Sequence, residues 1–145
     1  MLMTDFSIVV LLSCNGRNLQ AIIDAINNEQ VAARIGAVIS DKPDAYGLVR
    51  AKNASIPAEA IEKKPSENRE AYDHRLRELI DCYQPQLIVL AGFMRILSAP
   101  FVDHYAGKII NIHPSLLPKY PGLNTHEKVL AAGDKHHGIT IHYVI

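Results

Sequence analysis

Short runs of β-branched and aliphatic residues recur along this chain, and stretches with helical spacing separate them. Residues 6–12 read FSIVVLL, too short for a typical helix and apolar enough for a strand buried on both faces, the mark of a parallel sheet. Ser13-Cys14-Asn15-Gly16-Arg17-Asn18 breaks the run. Leu19, Ile22, Ile23 and Ile26 follow at i, i+3, i+4 and i+7, which is one apolar helical face. The cycle repeats. Strands are predicted over 35–39, 87–91, 109–113 and 138–145, and helices over 45–53, 66–83 and 125–132. Asp44 is the candidate N-cap of the second helix. Strands alternating with helices imply right-handed crossovers and a mostly parallel sheet with helices on both faces.

The 145-residue length suits one domain, within the usual range of about 100–200 residues. Lys+Arg and Asp+Glu each number 15, so no whole-protein field favours a nucleic acid or an anionic membrane. The 48% hydrophobic and 21% charged fractions exclude a disordered chain. No apolar run approaches the roughly 20 residues that span a bilayer. Met1-Leu2-Met3-Thr4-Asp5 lacks the basic start of a secretory signal. Cys14 and Cys82 match no metal spacing, and the composition predicts a cytoplasmic protein with reduced thiols. No set of residues offers the three or four ligands of a zinc site. The sequence ends on an apolar strand, a pattern that predicts a fragment of a larger domain.

Ligands of open α/β sheets bind beyond the carboxyl ends of the strands. Gly16, Arg17 and Asn18, after the first strand, lead into a helix whose N-terminus suits a phosphate. Ser13 and Asn15 offer further hydrogen bonds to such a ligand. The alternative is a simple turn in which Asn15 or Asn18 caps the helix. Asp41, after the second strand, fits either a ribose hydroxyl or a turn before Pro43. Gly92-Phe93-Met94-Arg95-Ile96-Leu97, after the third predicted strand, forms either a wall for a flat aromatic ligand or a core-packing loop. Asn111 and His113 are two apart on a strand, so they share a face. An amide donor beside an imidazole suits a developing oxyanion and a proton transfer. The alternative is that both serve the strand itself. His142 reads as a satisfied core or edge histidine.

The segments from Leu90 to Leu97, from Asn111 to Leu123 and Asn124-Thr125-His126 closely resemble the folate-dependent phosphoribosylglycinamide formyltransferases of purine synthesis. The resemblance runs from the first strand to the last residue. It implies a Rossmann-like three-layer α/β fold. It further implies transfer of a formyl group from 10-formyltetrahydrofolate to the amine of 5-phosphoribosylglycinamide. Asn111 and His113 match the family's catalytic pair, and Gly16, Arg17 and Asn18 match its ribose-phosphate loop. Met94, Arg95, Ile96 and Leu97 match the wall of the folate pocket, where backbone groups read the pterin, and Arg69 matches a residue near the folate. No metal is implied. The expected partners are small molecules, with no nucleic acid or membrane, for a monomer or homodimer. Two positions depart from the family pattern: Cys14 replaces a more glycine-like residue and Arg17 a small one. The family also has a catalytic aspartate beyond the position at which this sequence ends, so the 145-residue chain alone is expected to be inactive. A nucleotide-dependent oxidoreductase is the alternative enzyme class. A non-catalytic binding fragment is the third reading.

Overall fold

A computed structural model describes residues 5–113 and 140–145. The helix expected over 125–132 lies outside them, as do His126 and the rest of the segment from Pro114 to Leu123 that carries the resemblance. The elements are β1 (Ser7–Leu12), α1 (Arg17–Asn27), β2 (Arg34–Ser40), α2 (Tyr46–Asn53), β3 (Ala58–Ala60), α3 (Arg69–Cys82), β4 (Leu87–Leu90), α4 (Ala99–His104), β5 (Ile109–His113) and β6 (Thr140–Tyr143). The strands form one sheet in the order β3-β2-β1-β4-β5-β6. The pairings among β1 to β5 are parallel, and β6 pairs antiparallel with β5.

Alternation along the strands divides the core into two layers. Val9, Leu11, Ile39, Ile88 and Ile109 point to one face, where Tyr72, Leu76 and Ile80 of α3 and Phe101 of α4 pack on them. Ile8, Val10, Leu12, Val38 and Val89 point to the other, against Leu19 and Ile23 of α1 and Leu48 and Ala51 of α2. All six residues of β1 are buried, as a central strand covered on both faces requires.

Helix ends follow local chemistry. α3 starts at Arg69, inside the expected 66–83, and Asn68 caps it, its Oδ1 accepting from the Ala71 N–H at 2.8 Å. Asp44 does not cap α2. The cap position is Ala45, without a side-chain bond, because the helix starts one residue later than expected. At the C-terminus of α1, Glu29 adopts a left-handed φ of 60°. The Gln30 N–H donates to Ala25 O and the Glu29 N–H to Ile26 O, a Schellman ending. α2 closes in the same way through Ser55 and Ile56.

The strand order reverses between β1 and β4. From there the chain winds outward through β2 and β3 on one side and through β5 on the other. Crevices at such a switch point are where doubly wound sheets bind ligands.

Candidate active site

The ladder registers bring the strand ends level. Leu12 pairs with Ser40, Leu11 with Leu90, Leu90 with Asn111, and Asn111 with His142. The loops after β1 and β4 and the end of β5 therefore share one edge of the sheet.

Gly16 is the N-cap of α1, at φ 81°, with no side-chain cap. Neither Asn15 nor Asn18 caps the helix, so first-turn N–H groups lack an intrahelical acceptor. Arg17 and Asn18 are exposed in that turn. Two constraints make position 16 a glycine. The φ is left-handed, and a Cβ there would sit 2.7 Å from the Gly47 Cα. α2 supports the loop from outside. The Gly47 N–H donates to Cys14 O at 3.1 Å. Arg50 Nε donates to Asn15 O at 2.8 Å, and its Nη2 donates to Asn15 Oδ1 at 2.6 Å. The same guanidinium lies 4.8 Å from the Tyr46 ring centre. Asn15 thus faces Arg50, and the Ser13 hydroxyl, 2% exposed, turns inward. Both depart from the expectation that these side chains point to a ligand.

Asp41 likewise has a partner within the protein. Its Oδ1 accepts from Ser13 Oγ at 2.6 Å.

The loop after β4 alternates. Phe93 and Leu97 pack on the core, whereas Met94 and Ile96 are 52% and 73% exposed. Arg95 turns inward, its guanidinium 4.2 Å from the Tyr72 ring centre. Burial raises the pKa of Tyr72 above the ordinary phenol range, so its hydroxyl keeps its proton and donates to Ile61 O at 2.6 Å. The loop is thus both a core-packing loop and an outward apolar wall. Arg95 offers that wall its backbone, not its charge. At the end of the segment, the Ser98 N–H donates to buried Asp73 Oδ2 at 2.6 Å. Arg69 is exposed at the start of α3. It lines a groove of about 420 Å³ with Ser98 and Pro100, beside the residue that follows Leu97.

Asn111 is half-buried at the end of β5. Its Nδ2 lies 3.3 Å from His142 Nε2. His142 Nδ1 is 3.0 Å from Tyr143 O, which only accepts, so Nδ1 carries the ring proton of the neutral imidazole and Nε2 accepts from Asn111. His142 is thus a satisfied histidine of the edge strand whose partner is Asn111. Its clue was position: antiparallel pairing sets it opposite Asn111. His113 ends β5, where it pairs in register with Thr140. Among the described residues no group of three or more His, Cys, Asp or Glu is placed to hold a metal ion. Both cysteines are free, and no described helix is long and apolar enough to cross a membrane.

Fold and strand order together define a doubly wound α/β domain of the Rossmann-like kind, with the loops after β1 and β4 at its switch point. Residues 6–145 match the family model described as formyl transferase, and the chain belongs to that family. It is 54% identical over 138 residues to the phosphoribosylglycinamide formyltransferase of Escherichia coli, covering 95% of this chain and 65% of that protein. The Haemophilus influenzae enzyme of the same name is 50% identical over 137 residues, with 94% and 65% covered. The solved phosphoribosylglycinamide formyltransferase of Coxiella burnetii superposes with a TM-score of 0.91 at 56% identity, over 97% of this chain and 66% of that one. The chain thus spans about 65% of the length of these curated relatives.

Proposed function

We propose that this chain serves the transfer of a formyl group from 10-formyltetrahydrofolate to the amine of 5-phosphoribosylglycinamide, a step of purine synthesis. The observation that carries the reading is the placement of Asn111. Its amide stands at the carboxyl end of β5, level with the base of the loop after β4. Nδ2 carries two N–H groups. His142 takes one, and the other, which has no acceptor among the described residues, donates to the formyl oxygen as it becomes an oxyanion. His113 is the group that moves the amine's proton as the tetrahedral centre forms and collapses.

The ribose phosphate sits on the uncapped N-terminus of α1, with Gly16, Arg17 and Asn18 around it. N–H groups and the helix dipole both favour an anion there. The pterin lies against Met94 and Ile96, and the backbone of Arg95 and Leu97 reads its polar edge. Arg69 favours the anionic part of the folate. Both ligands are small molecules, met in the cytoplasm by a monomer or homodimer. A nucleotide-dependent oxidoreductase fits less well: the first loop has one glycine, and Asp41 is tied to Ser13. Mixing both substrates with a protein of its relatives' length that carries this chain, and following deformylation of the folate by absorbance, tests the proposal. Formyl transfer that depends on the phosphorylated amine is expected. Deformylation at the same rate without the amine would overturn it.

A further inference from the structure

We propose that Ser13 and Asp41 are a positioning pair that sets the loop after β4 for the formyl donor. The inference rests on the reading of that loop as the folate wall. Ser13 makes three hydrogen bonds across the switch point. Its N–H donates to Gly92 O at 3.0 Å. Its hydroxyl accepts from the Met94 N–H at 2.8 Å and donates to Asp41 Oδ1 at 2.6 Å. Ends of β1, β2 and β4 thus converge on one side-chain oxygen.

The polarity of this junction is fixed. A hydroxyl has one proton; the Met94 N–H can only donate, and an ionised Asp41 can only accept. Asp41 therefore orients the hydroxyl, and the oriented lone pair holds Met94. Bonds to an ionised acceptor are also the stronger kind. The turn presenting Asp41 is itself pinned, with the Lys42 N–H donating to Ser40 Oγ at 3.1 Å.

Met94 is the first outward residue of the wall. Beyond it, the loop is next anchored by Arg95 over Tyr72 and by the Ser98 N–H on Asp73. Releasing the Met94 anchor lets the wall and its backbone edge shift against Asn111. Asp41 touches no ligand in this arrangement and acts through Ser13.

The test is steady-state kinetics of a protein of its relatives' length that carries this chain, for Ser13→Ala, Asp41→Ala and Asp41→Asn, with amide hydrogen exchange at Met94 as a second readout. Ser13→Ala should raise KM for the formyl donor about tenfold, the size of one such lost bond, and change kcat by less than about threefold. Asp41→Ala should move the same constant in the same direction. Asp41→Asn, which keeps an acceptor oxygen, should return it close to the wild-type value. Exchange at Met94 should accelerate in both alanine variants. A fall in melting temperature with KM unchanged in both would reduce the pair to a structural role and overturn the proposal. Absence of formyl transfer in the wild-type protein at its relatives' length would sink the functional reading instead. Unaltered exchange at Met94 in Ser13→Ala would then overturn the tie independently.

Discussion

The loops after β1 and β4 meet at Ser13, yet they are held in opposite ways. The first is supported from outside, by Arg50 on Asn15 and by Gly47 under Gly16, and it turns backbone N–H groups outward. The second is anchored from inside, by Phe93 and Leu97 in the core and by Arg95 over Tyr72, and it turns Met94 and Ile96 outward. One edge of the sheet therefore carries a polar loop beside an apolar one, which the proposed function assigns to a phosphate and a flat ring. The contrast follows from strand and helix chemistry. A helix N-terminus leaves donors without partners, whereas an alternating loop segment must bury every second side chain.

Asn111 stands on β5, next to the strand that carries the second loop, and its loss should have the largest effect. Asn111→Ala should lower kcat by about 10²–10³ with both substrates still binding, because a donor to the developing oxyanion acts on the transition state. Steady-state kinetics checks this; wild-type turnover would remove Asn111 from the chemistry. A smaller, one-sided loss is expected of the outside support. Arg50→Ala should weaken the phosphoribosyl substrate about tenfold by freeing Asn15, and Arg50→Lys should not restore it, because a lysine cannot make the paired bonds. Calorimetry with each ligand alone reads the split, and equal weakening of both ligands would erase the division between the loops. On the wall, Ile96→Ala should raise KM for the formyl donor by about fivefold, within the range for lost apolar contact, and leave the phosphorylated amine unaffected.

The smallest effect concerns the segment leading to Arg69. Arg75 donates to both carboxylate oxygens of Glu67 at 2.6 Å, which holds the Glu67 pKa down at about 2. A depressed folded pKa contributes stability above the ordinary carboxylate range, lost as pH falls towards about 2. Thermal melts from pH 6 to about 2 should show a shallower acid loss in Glu67→Gln than in the wild type. Identical slopes would show that the pair adds nothing to stability.

Much of the fold was legible because its signals are local. The apolar runs of β1, β2, β4 and β5 and the face of α1 stand in the sequence. β3 is three residues of Ala-Glu-Ala with no pattern of its own, and pairing with β2 alone makes it a strand. α4 has six residues, too few for a period to show. In the site, Asn111 was marked by spacing and Gly16 by its place before a helix. Ser13, Asp41 and Arg50 acquire their positions from contacts 28, 35 or 81 residues away in sequence, which no local pattern encodes. The inward turn of Arg95 needed Tyr72, and the role of His142 needed the antiparallel register of β6.

The division of ligands between the two loops is tested most directly by calorimetry on the full chain, titrating each substrate into the wild type, Gly16→Val and Ile96→Arg. A valine at 16 meets a left-handed φ and the Gly47 Cα, so it should abolish measurable binding of 5-phosphoribosylglycinamide and leave that of 10-formyltetrahydrofolate within about twofold. Ile96→Arg should do the reverse, and circular dichroism should show both variants folded. Folded variants that lose the opposite ligand, or both ligands together, would contradict the account.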